Sequence, residues 1–279
     1  MSFLLFHIMI ACSPTASIDP LQEIIVNAGT YTIGPPSNVN PPPNTLRRTV
    51  TLTYEYTISK TELTIGDWIA VTHELPDQSC GESLITMLTV EHPVRCVSWC
   101  EALAFANQKS TSQGLDPVYE FVEGGESPKH DIDCNEGAQF VKMTHDANGW
   151  RLPTEAEWEI ASITNEQTPL TDRAWFAENA NNQPHPVAKK EPNSLGLFDT
   201  QGNLHEWIWE RFGEFESNMV TDPLEYDIPI PSLYTRPIKG GAFSSSKYGL
   251  QTYNRPHASP SMQHPSIGFR LVRTLNSSQ

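Results

Sequence analysis

Five side chains able to bind a cation or move a proton fall within eight positions of "GLFDTQGNLHEWIW" (196–209): Asp199, Gln201, Asn203, His205 and Glu206. Gly196 and Gly202 punctuate the run, and Trp207 and Trp209 close it. An oxygen-rich turn suits a hard cation, since calcium takes roughly six to eight oxygen ligands, backbone carbonyls among them. Glycine lets successive carbonyls converge on one point. "HEWIW" opens like the zinc motif HExxH, but Trp209 stands where the second His is required. The alternating acidic ladder of an EF-hand is missing as well. A plain polar turn ahead of a buried strand remains the other reading.

A second chemistry-bearing stretch is "KGGAFSSSKYGLQTYNRP" (239–256), with His257 just beyond. Ser244, Ser245, Ser246, Lys247, Tyr248, Gln251, Tyr253, Asn254, Arg255 and His257 mix hydroxyl, amide, aromatic and cationic groups, the composition of an adaptable binding face. An ordinary solvated loop would read the same way. No nucleophile-elbow, phosphate-loop or dinucleotide fingerprint occurs.

The elements that must position these stretches are short. The 279 residues include 23 Pro and 16 Gly, which implies long irregular connections. "EIIVNAGTYTIG" (23–34) reads as strand-turn-strand, and "TVTLTYEYTIS" (49–59) as one alternating strand. Helices are expected from Thr64, from Ser98 with Glu101 three residues on, and from Thr154 with Glu157 three residues on, the last two being capping-box patterns. Weak strands lie near "PVYEFV" and "QFVKM", and 165–194 reads as an irregular loop. "YTRPIKGGAF" (234–243) and "SIGFRLVRT" (266–274) are strand-like. Arg151 and Glu157 read as a buried structural pair, and Trp99, Trp158 and Trp207 as core.

A net charge of −15, from 18 Lys and Arg against 33 Asp and Glu, repels phosphate backbones and excludes nucleic acid as a partner. The N-terminus is apolar from Phe3 to Ala11, too short for a membrane span and consistent with an export signal. "MIAC" resembles a bacterial lipoprotein cleavage box that would make Cys12 the lipidated first residue, although no Lys or Arg precedes the run. The expected organisation is a leader and tether over 1–22, one domain over 23–274 and a tail over 275–279. The protein is then exported to the bacterial cell envelope, with the membrane reached only through a lipid anchor. Cys80, Cys96, Cys100 and Cys134 would permit two disulfides, in any of three connectivities.

Seven segments in order, "AGTYTIG", "ISKTELTIGDW", "HPVRCVSWCEALAFAN", "GWRLPTEAEWEIA", "WFAENANNQPHPVAKKEPNSLGLFDTQGNLHEW", "IKGGAF" and "IGFRLVRT", resemble the formylglycine-generating enzyme, or sulfatase-modifying factor, family over roughly 23–274. The resemblance implies an α+β domain related to the C-type lectin fold, with little regular secondary structure. It implies a structural calcium held by Glu62, Asp199 and the carbonyls at Gly202 and Leu204, with Asn203 in support. Active members carry a Ser after the two glycines and then two cysteines five residues apart, which hold copper and oxidise a substrate Cys. Here those positions are Ala242, Ser245 and Leu250. Soft Cu(I) requires thiolates, so copper is not expected. The resemblance then implies a binding or interaction protein for an unknown protein or small molecule. The alternatives are a formylglycine-generating oxidase with a divergent site and another superfamily chemistry. Ligand-binding variable proteins of the related fold diversify residues ahead of the same "GFR" block.

Overall fold

The computed structural model describes residues 22–40, 42–77, 80, 88–123, 138–144, 147–163, 168–215, 219–224, 227–229 and 234–275. The expected leader with Cys12, the residue Cys134 and the tail from 276 lie outside them.

In chain order the first half holds strands β1 (Glu23–Val26), β2 (Gly29–Ile33), β3 (Arg48–Leu52) and β4 (Glu55–Ser59), helices α1 (Ile65–Thr72) and α2 (Trp99–Ser112), and strands β5 (Tyr119–Glu123) and β6 (Ala138–Met143). Then come β7 (Trp150–Arg151), α3 (Glu155–Ala161), α4 (Leu170–Arg173), β8 (His205–Trp207), β9 (Met219–Thr221), β10 (Asp227–Pro229) and β11 (Arg236–Lys239). A 3-10 turn (Lys247–Leu250) precedes β12 (His257–Ala258), β13 (Ile267–Gly268) and β14 (Val272–Leu275). The result is the expected α+β fold with little regular structure.

Four small sheets run in the orders β1-β4-β14-β7, β10-β6-β5, β12-β11-β8-β13 and β2-β3-β9. The last strand therefore lies between β4 and β7, antiparallel to both, and ties the two ends of the domain together. In the third sheet β8 pairs antiparallel with β11 and parallel with β13. That sheet carries the end of the polar run, Glu206 and Trp207, and the start of the "KGG" segment.

Each of α1, α2 and α3 begins with a complete capping box, in which the side chain of Thr64, Ser98 or Thr154 accepts the backbone N–H of Asp67, Glu101 or Glu157 and the acid reaches back. These pairs satisfy N–H donors that a helix start leaves unpaired. The expected single strand over 49–59 is instead two strands in different sheets. Asp222 takes the Thr53 N–H at 2.8 Å and the Thr53 hydroxyl at 2.6 Å, which bends the chain between β3 and β4. "SIGFRLVRT" also divides, because Phe269, Arg270 and Leu271 are fully buried between β13 and β14. The stretch expected to be loop contains the one-turn α4.

Two large clusters make most of the core among the described residues. One surrounds α2 and holds Trp99, Phe105, Trp150, Trp207, Trp209 and Phe269. The other joins β2, β3 and β4 to α3 through Val50, Tyr56, Ile58 and Ile160. Trp209 stacks on Trp99 at 5.4 Å and on Tyr119 at 4.9 Å between ring centroids. Large aromatic surfaces supply much of the burial where ladders are only two to five residues long. Cys80 and Cys96 form a disulfide, and Cys100 is also disulfide-bonded. Such bonds persist in oxidising compartments.

Arg151 and Glu157 form the expected buried pair, and Glu157 also accepts from the Tyr54 hydroxyl at 2.9 Å and the Thr154 N–H at 2.8 Å. Burial works to raise the Glu157 pKa, but the guanidinium outweighs it and holds the carboxyl below its usual range. Breaking a buried pair strands the surviving charge, so Glu157→Gln should destabilise by about 3–5 kcal/mol in urea unfolding. The exposed Lys189–Glu91 pair at 3.5 Å is the control, and Lys189→Ala should change stability by less than about 1 kcal/mol. The Glu157 contribution should be complete above the unfolded carboxylate pKa of about 4.3 and vanish as the pH falls through the depressed folded value.

Candidate functional site

The polar run folds as a tight turn built on left-handed residues. Asp199 and Asn203 both have φ of 55°, and Gly202 has φ of 82°. Gly202 is required here, because a Cβ would strike the Trp175 carbonyl. Asn203 is the hub of the turn. Its amide donates to Glu62 Oε2 at 2.6 Å and to the His185 carbonyl at 3.2 Å, and its oxygen accepts the His185 N–H at 2.9 Å. The Leu204 N–H donates to Glu62 Oε1 at 2.8 Å. Asp199 accepts the Ala188 N–H at 2.8 Å through Oδ2, while Oδ1 is buried without a partner.

The structure thus brings the four expected metal residues, Glu62, Asp199, Gly202 and Leu204, to one turn. Burial pushes the Glu62 carboxyl well above its usual range, and Asp199 and Glu206 push it further. Burial likewise raises the Asp199 pKa to about 6. No group of three or more His, Cys, Asp or Glu side chains among the described residues is arranged to hold a metal. A cation here would therefore draw on backbone carbonyls. His205 is driven the other way, to about 4, by burial and by His264, so it is neutral near pH 7.

The "KGG" segment is fastened to this turn. The Gly202 N–H donates to the Gly240 carbonyl at 2.9 Å, the Phe243 N–H to the Asn203 carbonyl at 2.8 Å, and Gln201 Nε2 to the Leu250 carbonyl at 2.8 Å. Ala242 is fully buried, and its N–H donates to Ser245 Oγ at 3.0 Å. Leu250 is also fully buried, packed with Ala174 and Phe176. Gly241, with φ of 77°, passes so close to Leu250 that a Cβ would collide with its side chain. One position thus ends in a hydroxyl closing a turn and the other in an apolar cluster.

The surface expected over 244–257 is not one face. Ser244, Ser246, Lys247, Tyr248 and His257 are exposed, and Tyr248 reaches 74%. Gln251 and Tyr253 line a groove of about 450 Å³ with Thr32, Glu159, Arg173 and Gln201. Asn254 is turned back onto the Tyr248 carbonyl at 2.7 Å. Arg255 departs from the expectation altogether. Its side chain is only 4% exposed and pairs through Nε with Glu155 Oε1 at 2.7 Å, because a buried carboxylate attracts the guanidinium inward.

A family model for the sulfatase-modifying factor enzyme 1-like domain matches residues 12–275. The chain belongs to this family. It is 31% identical over 253 residues to the chaperone protein LppX of Paenibacillus barcinonensis, covering 81% of this chain and 82% of that one. Among solved structures it resembles variable protein 1 of Treponema denticola, with a TM-score of 0.76 and 27% identity over 90% of this chain and 94% of that one. PvdO from Pseudomonas aeruginosa shares the fold, with a TM-score of 0.62 and 19% identity over 91% and 94%.

Within this family member, the fold assembles three further charged sites from residues that share no sequence motif. Arg270 of the "GFR" block grips Glu206 of the "HEW" block at 2.6 and 2.7 Å. Lys239 lies between Glu155 at 3.3 Å and Glu159 at 2.9 Å. Glu210 lines a cavity with Glu155, Arg48 and Arg255. Glu155 and Glu159 flank the capping acid Glu157 on α3, but neither belongs to the box itself. The partners of each group come from distant parts of the chain.

If Glu62 is the cap of the 203–204 turn, Glu62→Ala should leave two buried donors unpaired and destabilise by about 2–4 kcal/mol. Urea unfolding checks this, and amide exchange should rise at Leu204 before it rises at β14.

Proposed function

We propose that this family member is an extracytoplasmic binding protein that does not oxidise thiols. One observation carries the reading: the two positions that need copper-binding thiolates hold a turn-closing Ser245 and a core Leu250. Neither an un-ionised hydroxyl nor a methyl group replaces a thiolate toward a soft metal. The exposed turn with Lys247 and Tyr248 supplies charge and aromatic area for a partner. The name of the LppX relative, a chaperone, agrees with an interaction role, and the Treponema neighbour is named a variable protein. The disulfides favour an oxidising compartment, and export with lipidation at Cys12 would place the domain at a bacterial envelope.

A structural calcium belongs to the same reading. The residues suit a hard cation, because Asp199 presents an orphaned buried oxygen and its charge adds to the cost of ionising the buried Glu62. Asp199, Glu62 and the carbonyls at Gly202 and Leu204 would hold it, and its charge would offset theirs.

Titration with Cu(I) should show no stoichiometric binding, and a sulfatase peptide incubated with the copper-treated protein should keep its Cys. Formylglycine in that peptide by mass spectrometry would restore the oxidase reading. For the metal, excess chelator should lower the Tm by roughly 5 °C, since an ion bound only to the folded state stabilises it. An unchanged Tm, with no calcium in the purified protein, would remove calcium from the account.

A further inference from the structure

A cavity of about 380 Å³ opens between Arg48 at the start of β3, Glu155 at the start of α3 and the segment 210–215 after β8. That volume is in the range of small-ligand sites. Its apolar wall comes from Phe212, Phe215, Pro223, Leu224 and Tyr234. Arg48 is only 6% exposed and stacks on Phe215, its guanidinium carbon 3.8 Å from the ring centroid. Its Nη2 is buried without a hydrogen-bond partner, and no carboxylate among the described residues forms an ion pair with it. The other buried cations nearby are satisfied. Arg255 spends Nε on Glu155 and Nη1 on the Asn44 and Gly213 carbonyls, and Lys239 is taken by Glu155 and Glu159. An unpaired buried guanidinium is costly, and it is matched most closely by an anion with two parallel oxygens.

We propose that this cavity binds a monoanionic carboxylate attached to an apolar group, with Arg48 holding the carboxylate, Glu210 donating a hydrogen bond to it, and Phe212, Phe215, Leu224 and Tyr234 covering the apolar part. The site stands whether or not the chain oxidises thiols. Both Glu210 oxygens lie near the Glu155 N–H, at 3.0 and 2.9 Å, so one oxygen can accept that bond while the other carries a proton. Burial, with the neighbouring Glu155 charge, pushes the Glu210 carboxyl up to about 8 even though Arg48 pulls it down. A neutral carboxyl beside a free guanidinium favours one negative charge. A doubly charged phosphate would meet the ionised Glu155 and gain no second cation.

The charged and titratable groups facing Glu210 are Glu155 from α3, Arg48 from β3, Arg211 and Glu214 from its own segment, Arg255 ahead of β12 and Tyr234 ahead of β11. His257 packs on Phe212 at 4.1 Å behind the wall. As the pH rises through about 8, Glu210 loses the proton that it donates, and a ligand carboxylate meets a second negative charge.

The test uses the whole purified chain and calorimetry with 3-phenylpropionate, its amide, and a short peptide ending in Phe with a free or an amidated C-terminus. The free acid should bind well below pH 8 and weaken by about tenfold or more well above it, and the amide should fail. Binding of phenylpropionate alone assigns a free small acid, and binding of the free-ended peptide assigns a polypeptide C-terminus. Glu210→Gln keeps a donor and should bind with no pH dependence across that range, while Arg48→Met should lose binding. Equal binding of acid and amide overturns the proposal, as does binding of neither carboxylate. Both outcomes are read on the unmodified protein, so a variant that fails to fold does not shelter the idea. An acid affinity unchanged in folded Arg48→Met also overturns it.

Discussion

The pair between Arg270 and Glu206 is the contact on which the domain closes. Arg270 spans Glu206 with Nε and Nη2 and also donates to the carbonyls of Ser59 at 3.2 Å and Phe198 at 3.0 Å. The Trp158 indole donates to the same Glu206 at 2.6 Å. Five segments therefore meet at one fully buried charge pair: the end of β4, α3, the turn before 199, β8, and the chain between β13 and β14. Burial opposes the charge on Arg270, and Glu206 outweighs it, so the guanidinium holds its proton more firmly than usual. A buried pair is weak evidence for net stability. Its value here is geometric, because strands of two or three residues cannot fix their own register, and five donors in a rigid fork can.

That constraint explains how the turn at 199–204 and the "KGG" segment hold their shape. The turn is fixed from one side by Glu62 and from the other by the Phe198 carbonyl bond to Arg270. The segment is fixed by backbone bonds to the turn and by Leu250 in its apolar pocket. None of these contacts requires a thiol or a copper ion. Substitution at 245 and 250 thus costs the scaffold nothing it depends on, and Leu250 adds burial that a cysteine side chain would supply less of.

What was legible in the sequence was local. The three capping boxes each lie within four residues, so Thr64, Ser98 and Thr154 announce their helices. Alternation exposed β1 to β3, and the ordered blocks exposed the family. Breaks were missed where the cause was distant: β3 and β4 separate because of Asp222, which is 169 residues beyond Thr53. Glu206 and Arg270 are 64 residues apart and carry no shared spacing. Arg255 looked like surface because its neighbours are polar, but Glu155, 100 residues earlier, turns it inward. Composition places a residue near water or away from it, and a charged partner can reverse the placement.

The two charge networks on either side of α3 differ in a way that separates structure from binding. Around Arg151, every strong group has a partner: Glu157 accepts from Arg151, Tyr54 and Thr154, and Arg151 also reaches Thr274 at 2.9 Å. The network is closed and has no use for a ligand. Around Glu155 the accounts do not close. Lys239 and Arg255 neutralise Glu155 and Glu159, yet Arg48 is left without a carboxylate and Glu210 without a cation of its own. A buried polar group without a partner calls for an explanation, and here Arg48 and Glu210 share the wall of an open cavity. The same helix therefore carries a sealed joint on one side and a receptive one on the other. The receptive side lies beside Arg255, so the segment that supplies the family's chemistry in active members still borders the part of this molecule best suited to recognise something.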